Sequence, residues 1–317
     1  MKTKASIFLG ELLLLTVLLS PLQAQESALP ETQGNVLLDK RFWQTATLVD
    51  VRVALLQGAD VRAFDRDEGG PLHYAAGNIS TPGGMQALLA RGADIEARTK
   101  YGVTALHVAA AFNRTPAVVK LLLDRGADIE ARNKNGRKPL HLAAAYSETP
   151  AVAQLLLARG ADIEALDQYK KTPLHAAAIN SKTPAVVQLL LDNGADIEVR
   201  DRYKKTPLHA AVANSEIPAV VELLLNYGAD IEALDQYNKT PLHMAAANSK
   251  TSAVVELLLD YGANDMAQDI WGNTPFGYIL GNKALENTEA YRRLNEVRRL
   301  NEIRPLDETR QLDEPQY

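Results

Sequence analysis

Apolar and polar positions alternate along most of the chain in blocks that recur at a fixed interval. In one block, an alanine-rich apolar run begins at Thr172-Pro173, residues 180–184 form a polar break, and a second apolar run ends at Gly194. This pattern predicts two short helices per block, since Thr and Pro favour a helix start and Gly favours the position just after its end. All six histidines occupy the same place, 34 residues apart: His73, His107, His141, His175, His209 and His243. So strict a period predicts a repeat architecture.

The amino-acid sequence of the block closely resembles that of one repeat family. A Thr-Pro-Leu-His start at 172–175, a Leu-Leu-Leu run at 189–191 and a Gly-Ala-Asp-Ile-Glu end at 194–198 resemble the ankyrin repeat, and the likeness runs from roughly residue 36 to 300. The resemblance implies an α-solenoid of helix-turn-helix units joined by hairpin fingers. We expect the solenoid at 36–304, with an N-terminal cap unit at 36–69, six full repeats at 70–273 and a C-terminal cap unit at 274–304.

The two end units depart from the repeat, as terminal units of solenoids do because one of their faces has no neighbour. The first carries Phe42 and Trp43 where later units carry alanine, and the last lacks the histidine. Its second helix is predicted from about residue 288 to 303, ended by Pro305, with residues 305–317 disordered. The apolar points of that helix recur at steps of three: Tyr291, Leu294, Val297, Leu300 and Ile303.

The first residues favour an export signal. Lys2 and Lys4 precede an apolar run at 12–19, and Pro-Leu-Gln-Ala at 21–24 resembles a cleavage region. We predict a signal peptide at 1–24 cleaved near Ala24, a flexible lead-in at 25–35, and a periplasmic or secreted protein with no membrane contact after signal removal. An uncleaved anchor is the alternative, although the apolar run is shorter than the ~20 residues that span a bilayer.

Composition excludes several kinds of chemistry. The absence of cysteine among the 317 residues excludes disulfides, thiolate metal sites and a cysteine nucleophile. In an exported chain it also favours a bacterial source. The net charge of −5 does not favour a nucleic-acid or membrane-surface partner.

Two rows of polar residues invite a catalytic interpretation that their spacing disfavours. Ligands to one ion must lie ~2 Å from it, whereas stacked repeats separate equivalent histidines by ~10 Å. The resemblance implies instead that each histidine bonds to neighbouring backbone and fixes a helix start. The acidic pairs typified by Asp196 and Glu198 recur in successive units, whereas an active site needs one special constellation. We therefore expect the aspartate to cap a turn, and predict no cofactor, no metal and no enzyme activity.

The fingers carry the strongest candidate for binding. One register holds Tyr101, Asn135, Tyr169, Tyr203, Tyr237 and Trp271. Twelve basic residues flank this row against four aspartates, Asp167, Asp201, Asp235 and Asp269; the basic set includes Lys171, Arg200, Arg202 and Lys205. Exposed aromatic and arginine side chains are typical of interaction hot spots, so the strip predicts partner contact. The alternative is that the tyrosines pack on neighbouring fingers while the lysines keep the edge soluble.

A second candidate lies on the first helix of each repeat. Phe112, Tyr146 and Ile179 interrupt a groove of otherwise small residues, and they are either binding anchors or fillers of the space that alanine leaves. One departure from the family pattern concerns the fingers. The glycine present as Gly102 is replaced by Lys170 and Lys204 in later units, so either the turn type changes there or those lysines are kept for a reason.

The predicted function is a monomeric, non-enzymatic module that binds a protein partner through its fingers and concave groove, without nucleic acid. Two alternatives stay open: a regulatory or protective subunit of a periplasmic enzyme, and a secreted effector acting on host proteins. The sequence does not separate them.

Overall fold

The computed structural model is an array of short antiparallel helix pairs, and it describes residues 35–78, 82–112, 116–147, 149–180, 184–214 and 217–303. Within these residues there are sixteen α-helices and no strand. They are α1 Lys40–Thr45, α2 Leu48–Leu56, α3 Pro71–Asn78, α4 Gly83–Ala90, α5 Ala105–Phe112, α6 Pro116–Asp124, α7 Pro139–Tyr146, α8 Pro150–Ala158, α9 Pro173–Asn180, α10 Pro184–Asp192, α11 Pro207–Asn214, α12 Pro218–Asn226, α13 Pro241–Asn248, α14 Ala253–Asp260, α15 Pro275–Ile279 and α16 Glu289–Ile303. Short 3-10 helices lie at Val36–Leu38 and Lys283–Leu285.

Each repeat packs on the next through like helices. The first helices from α1 to α15 contact one another in sequence, and so do the second helices from α6 to α16. Leu174 of α9 and Leu190 of α10 are fully buried in the core that runs through the array. Ala177 is also fully buried, and its small side chain lets neighbouring first helices approach closely. The predicted α-solenoid is confirmed.

The helix starts follow local chemistry. At α13 the Thr240 hydroxyl accepts a hydrogen bond from the backbone N–H of His243, and Pro241 takes the first helical position, where no N–H partner is lost. Pro184 begins α10, and the preceding Thr183 lies outside the described residues. The equivalent Thr149 makes no side-chain cap bond to α8, so proline alone marks that start.

The terminal units bury apolar residues on the side facing the array. Trp43 of α1 is buried, and its indole Nε1–H donates to the carbonyl of Leu37 at 2.8 Å. At the other end, Leu294 of α16 is buried and Tyr291 is half-buried against the core. The predicted signal peptide, most of the lead-in and the tail at 305–317 lie outside the described residues. In the part of the chain that the structure describes, no helix is long and apolar enough to cross a membrane.

Candidate partner-binding surface

The fingers are five-residue turns, here called turns 1 to 7. They comprise residues 65–69, 99–103, 133–137, 167–171, 201–205, 235–239 and 269–273. In turn 5 the Asp201 N–H donates to the Lys205 carbonyl at 3.0 Å, and the Lys204 N–H donates to the Asp201 carbonyl at 2.9 Å. The same pair of bonds closes turns 4, 6 and 7. The fingers are therefore hydrogen-bonded turns rather than paired strands in the described residues.

The turn type does not change where lysine replaces glycine. Lys170 and Lys204 both have φ of 59°, close to the 73° of Gly102. A side chain in this left-handed region costs roughly 1 kcal/mol or more, because Cβ crowds the backbone. A change of turn type is therefore excluded. Lys170 and Lys204 adopt the same turn as the glycine, at an energetic cost.

The aspartates of the turns do not reach the surface. Asp167, Asp201, Asp235 and Asp269 are only 4–6% exposed. The carboxylate of Asp201 accepts the backbone N–H groups of Tyr203 at 2.7 Å and Lys205 at 3.0 Å. These carboxylates therefore lie beneath the strip rather than on it, because a short acidic side chain at the first turn position bonds to its own backbone. They are not available to a partner, and the exposed charged side chains of the turns are mainly basic.

Consecutive turns are held in register by backbone hydrogen bonds between repeats. The Arg202 N–H donates to the Tyr169 carbonyl at 2.9 Å, and the Gln236 N–H donates to the Tyr203 carbonyl at 3.0 Å. The Ile270 N–H continues the series to the Tyr237 carbonyl at 3.1 Å. The row of predicted binding residues therefore lies on one continuous edge of the array.

The aromatic side chains on this edge both stack and stay accessible. Tyr203 is 40% exposed, Tyr237 38% and Trp271 59%, while Tyr101 and Tyr169 are half-buried. The rings of Tyr237 and Trp271 stack with centroids 5.4 Å apart. The rings therefore pack on one another, as one interpretation predicted, and still present a face or edge to water.

Cations are inserted into this aromatic row. The guanidinium carbon of Arg202 lies 5.7 Å from the Tyr169 ring centroid and 5.6 Å from that of Tyr203. The Lys239 ammonium lies 5.4 Å from the ring centroid of Trp271. Cation–π contacts of this kind contribute ~0.5–1 kcal/mol at exposed sites and restrict the cation's orientation.

The predicted basic residues differ in accessibility. Arg202 and Arg200 are exposed, but Arg200 Nη1 donates to the Leu234 carbonyl at 3.3 Å and so spans to the next finger. Lys171 and Lys205 are half-buried, and burial lowers the pKa of Lys171. Lys170 and Lys204, which were not among the predicted binding residues, are exposed. Their replacement of a turn glycine was the sequence signal that could have selected them.

Sequence reasoning missed the apolar part of the edge. Leu166 is 41% exposed and Leu234 42%, and Ile270 is also exposed. The signal was available, because Leu166 and Leu234 occupy the position that Arg98, Arg132 and Arg200 take in other repeats.

The second predicted group lies at the far ends of the first helices. Phe112 and Tyr146 are half-buried and stack with centroids 6.3 Å apart, and Ile179 is half-buried against the core. Asn248, at the equivalent position, instead donates to the Met244 carbonyl at 2.9 Å. Since an eight-residue helix is ~12 Å long, this group and the finger turns are separated and do not form one site.

The histidine row is structural, as the resemblance implied. Nε2 of His175 lies 3.0 Å from the Lys205 carbonyl of the next turn, and because a carbonyl only accepts, this nitrogen carries the proton. Nδ1 then accepts the Thr172 backbone N–H at 3.3 Å. Burial lowers the pKa of His107 and of His141 to about 4, so both are neutral at pH 7.

The acidic row also joins repeats. The carboxylate of Asp196 accepts the Glu198 N–H at 2.9 Å, which confirms the predicted turn cap. Glu164 Oε1 accepts the Asp196 N–H from the following repeat at 2.7 Å. Burial raises the pKa of Glu164, because the charged form is partly removed from water. Both groups act on backbone donors rather than on a substrate cleft.

Comparison with known proteins agrees with this geometry. A family model described as ankyrin repeats in three copies matches six overlapping segments, residues 48–133, 72–167, 109–201, 140–235, 182–269 and 217–287. No curated protein matches the chain. Ankyrin repeats generally mediate contacts between proteins, and proteins built from them are typically interaction modules rather than enzymes. Because the matched segments run from residue 48 to 287, more than half of the chain, this chain belongs to the ankyrin-repeat family.

Proposed function

We propose that this protein is an exported, monomeric, non-enzymatic scaffold that captures another protein with turns 4 to 7. The observation that carries the proposal is the exposed, registered row formed by Arg202, Tyr203, Tyr237 and Trp271. Such side chains dominate binding energy at protein interfaces, because they bury a large area at a low cost in conformational entropy. Stacking against neighbouring turns reduces that cost further.

The N-terminal residues support export. Lys2, Lys4 and the apolar run at 12–19 have the layout of a secretory signal. Mass determination of the purified native protein should give a chain beginning near Gln25, and fractionation should find it in the periplasm or the medium. An intact Met1 in the cytoplasmic fraction would contradict export and leave the binding proposal standing.

Capture followed by mass spectrometry tests the binding proposal. The mature protein is immobilised, exposed to extract and to medium from its own cells, and compared with a variant in which Tyr169, Tyr203 and Lys205 are all changed to Ala. We expect capture of the main partner to weaken at least tenfold, about 1.4 kcal/mol, with a nearly unchanged melting profile. Asn135→Ala, at the register of Tyr169 and Tyr203 in turn 3, serves as the matched control.

Two outcomes count against this function. A large loss of stability in the triple variant with capture intact would assign the row to packing between fingers. Turnover of a substrate by the purified protein, abolished by one point change, would replace the scaffold with an enzyme.

A further inference from the structure

Turns 4, 5 and 6 present an alternating chemistry that the rest of the array lacks. At one register the side chains read Leu166, Arg200 and Leu234, and two positions later they read Gln168, Arg202 and Gln236. Both leucines are exposed, as are Arg200 and Arg202. The edge therefore offers an apolar contact, then two cations, then a second apolar contact, one repeat apart.

The side chain of Arg202 is pre-organised to bind an anion. Its guanidinium lies between the rings of Tyr169 and Tyr203, and among the described residues it forms no ion pair with a carboxylate. The nearest acid in sequence, Asp201, is buried and bonded to two backbone N–H groups. Exposed Lys170 and Lys204 add positive charge beside it. A planar guanidinium fixed in this way suits bidentate binding of a carboxylate.

The spacing of the turns selects a conformation for the ligand. Neighbouring helices pack ~8–10 Å apart, which sets the step from one turn to the next. A polyproline II segment has three residues per turn and rises ~3.1 Å per residue, so every third side chain points the same way at intervals of ~9 Å. A β-strand alternates faces, so its side chains three apart point to opposite sides.

We propose that turns 4 to 6 bind an acidic partner segment in the polyproline II conformation. A carboxylate of the segment pairs with Arg202, and apolar side chains three residues before and three residues after it contact Leu166 and Leu234. This inference rests on the proposed function and names the partner's chemistry. A nucleic-acid strand fits less well, because its phosphates gain nothing from the exposed leucines, and the exposed Asp162, Asp196 and Asp230 recur five residues before each turn.

Designed peptides test the register and the charge together. The probe is a fluorescent peptide with the core Leu-Pro-Pro-Glu-Pro-Pro-Leu, titrated into the mature full-length protein and followed by anisotropy. Three competitors accompany it: the same peptide with Gln for Glu, one with an additional Pro on each side of the Glu, and a thymidine oligonucleotide. We expect a Kd of ~100 µM or tighter for the probe, and at least tenfold weaker binding of both altered peptides.

Variants of the protein locate the contact. Arg202→Gln should weaken probe binding at least tenfold and remove most of its salt dependence, whereas Lys134→Gln, the equivalent change in turn 3, should leave the affinity unchanged. Leu166→Ala should weaken binding of the Leu-containing probe and leave unchanged the affinity for a variant peptide with Ala at the first position.

Each contrary result has a distinct meaning. Equal affinity for the Glu and Gln peptides, or no binding up to ~1 mM, overturns the acidic segment. Equal affinity for the probe and for the peptide with the longer spacing contradicts the three-residue polyproline II spacing. If the oligonucleotide displaces the probe and its binding is weakened equally by Arg202→Gln, the edge binds phosphate backbones instead. If capture of the natural partner still depends on Tyr203 while these peptides fail, the proposed function stands and this inference alone falls.

Discussion

The histidine row and the finger-tip row recur with the same period but are used in opposite ways. Each histidine is buried between one repeat and the next. Its ring accepts a backbone N–H on one side and donates to a turn carbonyl on the other, as His175 does with Thr172 and Lys205. An apolar side chain there would leave both buried backbone groups unpaired. At the tips, by contrast, Asn135, Tyr169 and Trp271 occupy one register. Backbone hydrogen bonds join neighbouring turns whichever side chain stands there, so the side chain can vary and can serve recognition.

Lowering the pH should produce the largest effect, and it should act chiefly through the buried histidine row. Burial lowers the pKa of folded His107 and His141 to about 4, against an ordinary value of 6.5. Between these values the unfolded chain binds more protons, so the free energy of unfolding falls as pH falls from 6.5 to about 4, and the contribution of these two histidines levels off below that. Each of the two contributes ~3 kcal/mol to the loss.

Urea unfolding at several pH values measures that loss, and NMR titration of the imidazoles assigns it. In the folded protein His107 and His141 should show no titration above pH ~5. Imidazole signals that titrate near pH 6.5 in the folded protein would contradict a neutral, buried row.

Leu190→Ala should cause the second-largest loss of stability. Leu190 is fully buried between repeats, so the change leaves a cavity and should cost ~2–5 kcal/mol in unfolding free energy. The matched change at the tips, Leu166→Ala, removes a side chain that is 41% exposed and should stay within ~0.5 kcal/mol. Urea unfolding of both variants provides the measurement, and equal costs would remove the distinction between the two rows.

Lys204→Gly should have the smallest effect, and it should raise stability while it weakens partner binding. Lys204→Gly relieves a left-handed backbone at φ 59°, so we expect the free energy of unfolding to rise by up to about 1 kcal/mol. Partner capture should weaken, because an exposed cation of the strip is lost. Gly272→Ala is the control at turn 7, where an added Cβ meets no atom within 4 Å and only the backbone cost, ~1 kcal/mol, remains. A destabilised Lys204→Gly protein would show that the lysine serves the fold.

Most of the architecture could be predicted, because each helix start, turn and helix end depends on residues a few positions apart. Pro184 begins α10, and Gly194 adopts the predicted left-handed φ, at 86°. The candidate surface could be predicted only in part. Tyr203 and Trp271 are exposed on one edge as expected, but the exposed Leu166 and Leu234 were overlooked, because a leucine in isolation indicates core rather than surface.

The sequence by itself determined the repeat, its period and the places where helices begin, since these follow from contacts within one unit. Only the tertiary structure decided that Asp201 is hidden beneath its turn and that Arg202 lies between Tyr169 and Tyr203. The accessibility of a finger residue depends on the neighbouring repeat, 34 positions away in the chain but in direct contact in space. Local pattern carries no information about that contact, so the chemistry of the edge emerges only when the repeats are stacked.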